Sequence, residues 1–108
     1  MLHSNMTVNA AGHLAFAGMD TIELAKKYGT PLYLMDENGI RQACREYKRN
    51  MKRFMGGASR PIYASKALSF VTLAKIMEEE EMDVEVVSPG EILVAIKGGI
   101  DPKNLYFI

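Results

Sequence analysis

Lys66 is the residue whose type and setting point most directly to chemistry. It follows Pro61-Ile62-Tyr63-Ala64, a run that reads as a buried strand, so its amine stands just past that strand's carboxyl end. Barrel and open-sheet proteins place their reacting groups there, on loops that vary while the sheet stays packed. Ile62, Ala64, Ala67 and Leu68 flank the lysine. Apolar neighbours disfavour an ammonium ion and leave a neutral amine able to attack a carbonyl carbon and form a Schiff base. The plainer alternative is a surface lysine in a loop.

Glu85 and Ser88 stand in and just after the next strand, residues 84–87. A carboxylate and a hydroxyl at such a place either line a pocket or cap the helix that follows. Glu91 reads as first-turn helix electrostatics. No metal site is expected. Cys44 is the only cysteine, His3 and His13 have no partner at ligand spacing, and the four carboxylates of residues 78–81 point around a helix instead of converging. That acidic run has no evident stabilising purpose, since it crowds the last turn of its helix against the dipole.

Thirteen basic side chains balance thirteen acidic ones, so no net field favours nucleic acid or an anionic membrane. No window approaches the roughly 18 apolar residues of a membrane span, and the amino terminus lacks the pattern of a secretory signal. With a single unpaired cysteine, the expected setting is the cytoplasm.

These residues need elements to hold them. Residues 1–19 read as short extended pieces broken by Gly12 and Gly18. Asp20, with Glu23 three positions on, marks a helix start, and Gly29 and Pro31 close that helix. Residues 32–35 are a strand candidate. Over residues 38–55, Ile40, Ala43, Cys44, Tyr47, Met51, Phe54 and Met55 recur at helical spacing, and Arg41, Arg45, Lys48, Arg49, Lys52 and Arg53 form what reads as a solvated opposite face. After Gly56-Gly57 come the strand before Lys66, a helix from about residue 69 with Phe70, Leu73, Ala74 and Met77 inward, strand 84–87, a helix over 90–97 with Ile92, Leu93 and Ile96 inward, and strand 104–108. The alternation of strand and helix is that of an α/β protein with a parallel sheet and helical crossovers. No G-x-G-x-x-G follows the first strand and no Walker loop is present.

Three strings, in this order, carry a family resemblance: Tyr28-Gly29-Thr30-Pro31-Leu32-Tyr33, Tyr63-Ala64-Ser65-Lys66-Ala67, and Glu85-Val86-Val87-Ser88-Pro89-Gly90-Glu91. The second resembles the Tyr-Ala-x-Lys-Ala motif of the barrel-type pyridoxal-phosphate decarboxylases and alanine racemases, and the third their acidic-Val-Val-Ser-x-Gly-Glu segment. The first string, with Gly12-His13-Leu14 ahead of it, is most similar to the diaminopimelate decarboxylase branch.

The resemblance implies an incomplete (β/α)8 barrel of the alanine racemase-like, TIM type, represented here by its first three to four βα units. Residues 1–30 would be an amino-terminal segment shared with a β-rich second domain, and residues 31–108 the first half of the barrel. It implies pyridoxal 5′-phosphate bound at Lys66, with Glu85 and Ser88 near the cofactor. It implies decarboxylation of meso-diaminopimelate to lysine by a homodimer with shared active sites. Another basic amino acid, such as ornithine or arginine, is the alternative substrate, and a noncatalytic pyridoxal-phosphate carrier the alternative role. A half-barrel has two open edges, so these residues alone are expected to be inactive and poorly soluble. The sequence departs from the family at Leu68, where many relatives carry Asn, and at Glu81 and Asp83, where a Gly-x-Gly pair commonly stands.

Overall fold

Short alternating segments between glycine turns satisfy their backbone groups only by pairing with one another, and the amino-terminal residues do so. In the computed structural model, residues 3–108 are described. They form two units, one extending to Ile40 and the other from Arg41 to Ile108.

In the first unit β1 (Met6–Val8), β2 (Leu14–Phe16) and β3 (Met19–Asp20) make an antiparallel sheet in that order. Met6 pairs with Phe16, and Phe16 with Met19 across a two-residue turn. Both turn residues, Ala17 and Gly18, have positive φ, the geometry that matches the twist of a tight hairpin. Asp20 then caps α1 (Thr21–Tyr28) as expected, its Oδ1 accepting from the amides of Ile22 at 2.8 Å and Glu23 at 3.2 Å. Its Oδ2 lies 2.8 Å from His13 Nδ1 and accepts from Asn9 Nδ2 at 2.7 Å. These contacts, His13's the largest, hold the Asp20 carboxyl down to about 2. Glu23 does not complete a capping box but accepts from Lys26 Nζ. Gly29, at φ 81°, ends α1 as expected.

Residues 32–35 are not a strand. A strand exists through its ladder, and neither three-stranded sheet includes this segment.

The boundary between the units falls inside α2 (Glu37–Met55), which starts with Asp36 Oδ1 accepting from the Gly39 amide at 3.1 Å. In the second unit β4 (Ile62–Ala64), β5 (Asp83–Val86) and β6 (Leu105–Phe107) form a parallel sheet in chain order. The crossovers between them are α3 (Val71–Glu79) and α4 (Pro89–Lys97). The register pairs Tyr63 with Val84 and Ala64 with Glu85, then Val84 with Leu105 and Glu85 with Tyr106. Side chains alternate along a strand, so Tyr63, Val84, Val86 and Leu105 share one face and Ile62, Ala64, Asp83, Glu85 and Tyr106 the other. The first face is the one against the helices, with Tyr63 and Val84 lining a common crevice with Leu73, Ala74, Met77, Val94 and Ala95. Among the described residues no helix covers the second face, which is why β4 is not the fully buried strand the sequence suggested. Ile62 is 48% exposed and Tyr106 45%.

The core is Leu73, Ala74, Ile76, Met77, Met82, Val84, Val86, Ala95 and Ile100, with Cys44 of α2 packed beside Met77. Burial pushes the Cys44 thiol up, so it is an inert core group. The inward side of α4 is corrected relative to the sequence expectation, because Leu93 and Ile96 are half exposed and Ala95 is the buried residue.

The basic side of α2 is not simply solvated, and the acidic run has a purpose after all. Arg45 makes a two-pronged contact with Glu80, Nε to Oε2 at 2.8 Å and Nη2 to Oε1 at 2.7 Å. Arg41 reaches both Glu80 and Glu79, and Lys48 Nζ donates to the Glu80 carbonyl at 2.7 Å and to Glu81. The cations therefore neutralise the acidic end of α3 and satisfy one of its final carbonyls.

Both crossover helices end in the same six-residue turn. In α4 the Ile100 amide donates to the Ala95 carbonyl and the Gly99 amide to Ile96, with Gly99 at φ 96°. In α3 the Met82 amide donates to Met77 and the Glu81 amide to Glu78, with Glu81 at φ 54°. A side chain in the left-handed region costs on the order of 1 kcal/mol, and the contact of the exposed Glu81 with Lys48 offsets only part of that. Glu81→Gly is accordingly expected to raise stability by about 0.5 kcal/mol, measured by denaturant titration of the complete gene product.

Candidate functional site

The parallel sheet brings two loops, those after β4 and β5, to its carboxyl end. Leaving β4, the chain makes a 3-10 turn, Ser65–Ala67, closed by the Leu68 amide donating to the Ser65 carbonyl at 3.1 Å. Ser65 is buried and Lys66 exposed, so the turn tucks the hydroxyl inward and presents the amine outward. Tyr63, on the helix side, donates its hydroxyl to the Leu68 carbonyl at 2.8 Å, bracing the far end of the turn. Burial raises the Tyr63 pKa, keeping it a donor. Leu68 takes part through its backbone amide and carbonyl, so a different side chain at this departure from the family pattern leaves the brace intact.

Among the described residues Lys66 makes no ion pair or hydrogen bond, and neither does the half-buried Glu85 carboxylate. Glu85 lies on the helix-free face, in register with Ala64, two residues before Lys66. Ser88 serves as N-cap of α4, its Oγ accepting from the Glu91 amide at 3.2 Å. The reading of Ser88 as a capping residue is thus realised.

Glu91 does more than the first-turn helix electrostatics its position predicts, because it joins two strand ends. Its Oε2 accepts from Ser65 Oγ and from the Val87 amide, both at 2.8 Å. The Val87 amide, and after it the Ser65 hydroxyl, hold the Glu91 carboxyl below the usual range. Ser88-Pro89-Gly90-Glu91 has the spacing of a capping box, and that signal marked Glu91 as a side chain that folds back on the chain. Here it reaches one residue further back, to Val87, and across to β4.

An unpartnered amine at a strand end suits the aldehyde of a pyridoxal ring, and an unpartnered carboxylate on the neighbouring strand suits a protonated ring nitrogen. The groups present therefore fit such a cofactor. Among the described residues no three His, Cys, Asp or Glu side chains are grouped to hold a metal ion. No described helix is long and apolar enough to cross a membrane.

Residues 37–108 match the family described as pyridoxal-dependent decarboxylase, pyridoxal binding domain, and the chain belongs to that family. It is 42% identical over 105 residues to the diaminopimelate decarboxylase of Bacillus methanolicus, a match covering 97% of the chain and 24% of that relative. The diaminopimelate decarboxylase of Methanothermobacter thermautotrophicus is also 42% identical, over 95% of the chain and 24% of its own length. A crystal structure of diaminopimelate decarboxylase from M. jannaschii in co-complex with L-lysine superposes with a TM-score of 0.83 at 29% identity, covering 96% of the chain and 24% of its own. The chain thus spans about a quarter of the length of the relatives it matches.

Proposed function

We propose that this chain provides the cofactor lysine of a decarboxylase that converts meso-diaminopimelate to lysine and carbon dioxide. The observation that carries the reading is the unpartnered Lys66 amine at the carboxyl end of β4, inside a matched pyridoxal-binding domain. In this reading β4, β5 and β6 are early strands of a closed (β/α)8 barrel whose interior is the helix-free face. Residues 1–30 belong partly to a second, β-rich domain, and the working enzyme is a cytoplasmic homodimer with shared active sites.

Lys66 would hold pyridoxal phosphate through its Nζ, and the same amine, when free, would carry a proton to or from the reacting carbon. The bound ring supplies an electron sink for the charge left when carbon dioxide departs. Glu85 would pair with the ring nitrogen or another polar group of the pocket, and Ser88 would border the cofactor while capping α4. The braced turn of Ser65–Ala67 keeps the amine aimed at one point, which is how this segment contributes to rate.

The test uses the product of the complete coding frame. Borohydride reduction followed by peptide mass spectrometry is expected to find the cofactor on Lys66 and nowhere else, and Lys66→Ala to abolish both the adduct and carbon dioxide release. An adduct that survives Lys66→Ala means another lysine holds the cofactor. Faster release from ornithine or arginine than from diaminopimelate overturns the substrate. An intact adduct with no release from any of the three points to a noncatalytic carrier.

A further inference from the structure

We infer that Glu91 is a positioning residue for Lys66, its single oxygen Oε2 tying Ser65, the residue before the lysine, to the end of β5. The inference rests on Lys66 being the cofactor lysine. Ser65 is buried, at 5% exposure, so its hydroxyl depends chiefly on the 2.8 Å bond to Glu91. The same oxygen accepts from the Val87 amide at 2.8 Å. Val87 immediately follows β5 and Ser65 immediately follows β4, so one atom fixes the separation of two strand ends.

Glu91 is itself held, since its amide donates to Ser88 Oγ at the start of α4. The Lys66 turn is thereby braced on both sides, by Tyr63 to the Leu68 carbonyl and by Ser65 to α4. Glu91 acts as an acceptor only, and a carboxamide oxygen in the same place still accepts both bonds, though more weakly than a carboxylate. A role for the negative charge itself, in contact with cofactor or substrate, would instead be lost with a carboxamide.

The experiment prepares the complete gene product free of cofactor, adds pyridoxal phosphate, and follows borohydride-trapped Lys66 over time by mass spectrometry. Visible circular dichroism of the bound ring reports how firmly it is oriented. Lys66 acetylation in the cofactor-free protein reports the turn alone. Ser65→Ala and Glu91→Ala are each expected to slow adduct formation about tenfold, the equivalent of one net hydrogen bond. They should also weaken the dichroism and change the rate of Lys66 acetylation, while the double variant is no slower than the slower single one.

Glu91→Gln is expected to lose no more than about threefold, since the carboxamide keeps the acceptor and gives up only the charge-assisted part of each bond. Ser65→Ala leaves the start of α4 untouched and carries the test if Glu91→Ala does not fold. Parent-like rates in Ser65→Ala overturn the inference, and so does a Glu91→Gln variant as impaired as Glu91→Ala, which would assign the effect to charge. An adduct that persists in Lys66→Ala defeats the cofactor reading instead, and the position of the label tells the two failures apart.

Discussion

Gly98→Ala is expected to destabilise the fold by about 3 kcal/mol, at the upper end of what overpacking a core costs. A Cβ at Gly98 would lie 2.4 Å from the Ala74 Cβ, 2.9 Å from the Lys75 nitrogen and 3.0 Å from the Ala74 carbonyl carbon. Two of those three atoms are backbone of α3, so a side-chain rotation cannot relieve the clash and α4 must move away. Both helices cover β5, and separating them opens the crevice above Val84. Gly99→Ala is the control. Its Cβ meets nothing within 4 Å, but φ is 96°, so its cost of about 1 kcal/mol is local backbone strain. Ala74→Gly in the Gly98→Ala background is expected to recover only part of the loss, because the Lys75 nitrogen remains in the way. Denaturant titrations of the four proteins check the order.

Glu80→Ala is expected to be the most damaging change in the acidic run, costing about 2 kcal/mol. That figure lies between the effect of an exposed pair and that of a fully buried one, because Glu80 is 7% exposed while its partner Arg45 is 66% exposed. Removing the carboxylate strips Arg45 of both its hydrogen bonds and Arg41 of one. Glu79→Ala and Glu81→Ala affect more exposed carboxylates and are expected to cost less. The cluster also fixes a pH dependence. The Arg45 hydrogen bonds, with Arg41 adding to them, hold the Glu80 carboxyl below its usual range, and Glu79 is lowered by Arg41. A carboxylate lowered on folding adds stability that is complete above its unfolded pKa and disappears as pH falls through its folded one. Stability should therefore be level near neutrality and decline below the ordinary glutamate range, and Glu80→Gln should flatten that decline. Raised salt should cost stability in the parent and less in Glu80→Gln.

The parallel α/β order was legible because several helices are bounded by residues that stop them. Gly56-Gly57 and Gly98-Gly99 close helices, and Asp20 and Gly29 bracket α1 through local hydrogen bonds that a sequence can display. The strand expected at residues 32–35 depended on a ladder partner, which no local pattern reveals. The inward side of α4 was hidden for another reason. Ile92-Leu93-Val94-Ala95-Ile96 is apolar all round, so its periodicity does not select a face. Close contact at Gly98 selects it, turning Ala95 inward.

Charges told a similar story. The sequence displays six cations on α2 and four carboxylates at the end of α3, each row explicable as solvated, and only the fold brings Arg41, Arg45 and Lys48 to residues 79–81. At the candidate site Lys66 was legible from strand, turn and motif. Its supports were not, because Ser65 and Glu91 lie 26 residues apart and meet only when β4 and β5 pair. The departure from the family pattern expected at Glu81 also acquires a meaning, since Glu81 occupies the one left-handed residue at the end of α3.

The pairing of Ala64 with Glu85 makes some inherited changes in length far more costly than others. Loss of one residue within β5 would carry Glu85 round to the helix side and leave Val86 facing away from the core, while also displacing Val87 from Glu91. A residue gained or lost in the turn at 56–59, between α2 and β4, shifts no strand against another. Lineages descended from this sequence should therefore differ in length before β4 and keep the spacing from Asp83 to Glu91 unchanged.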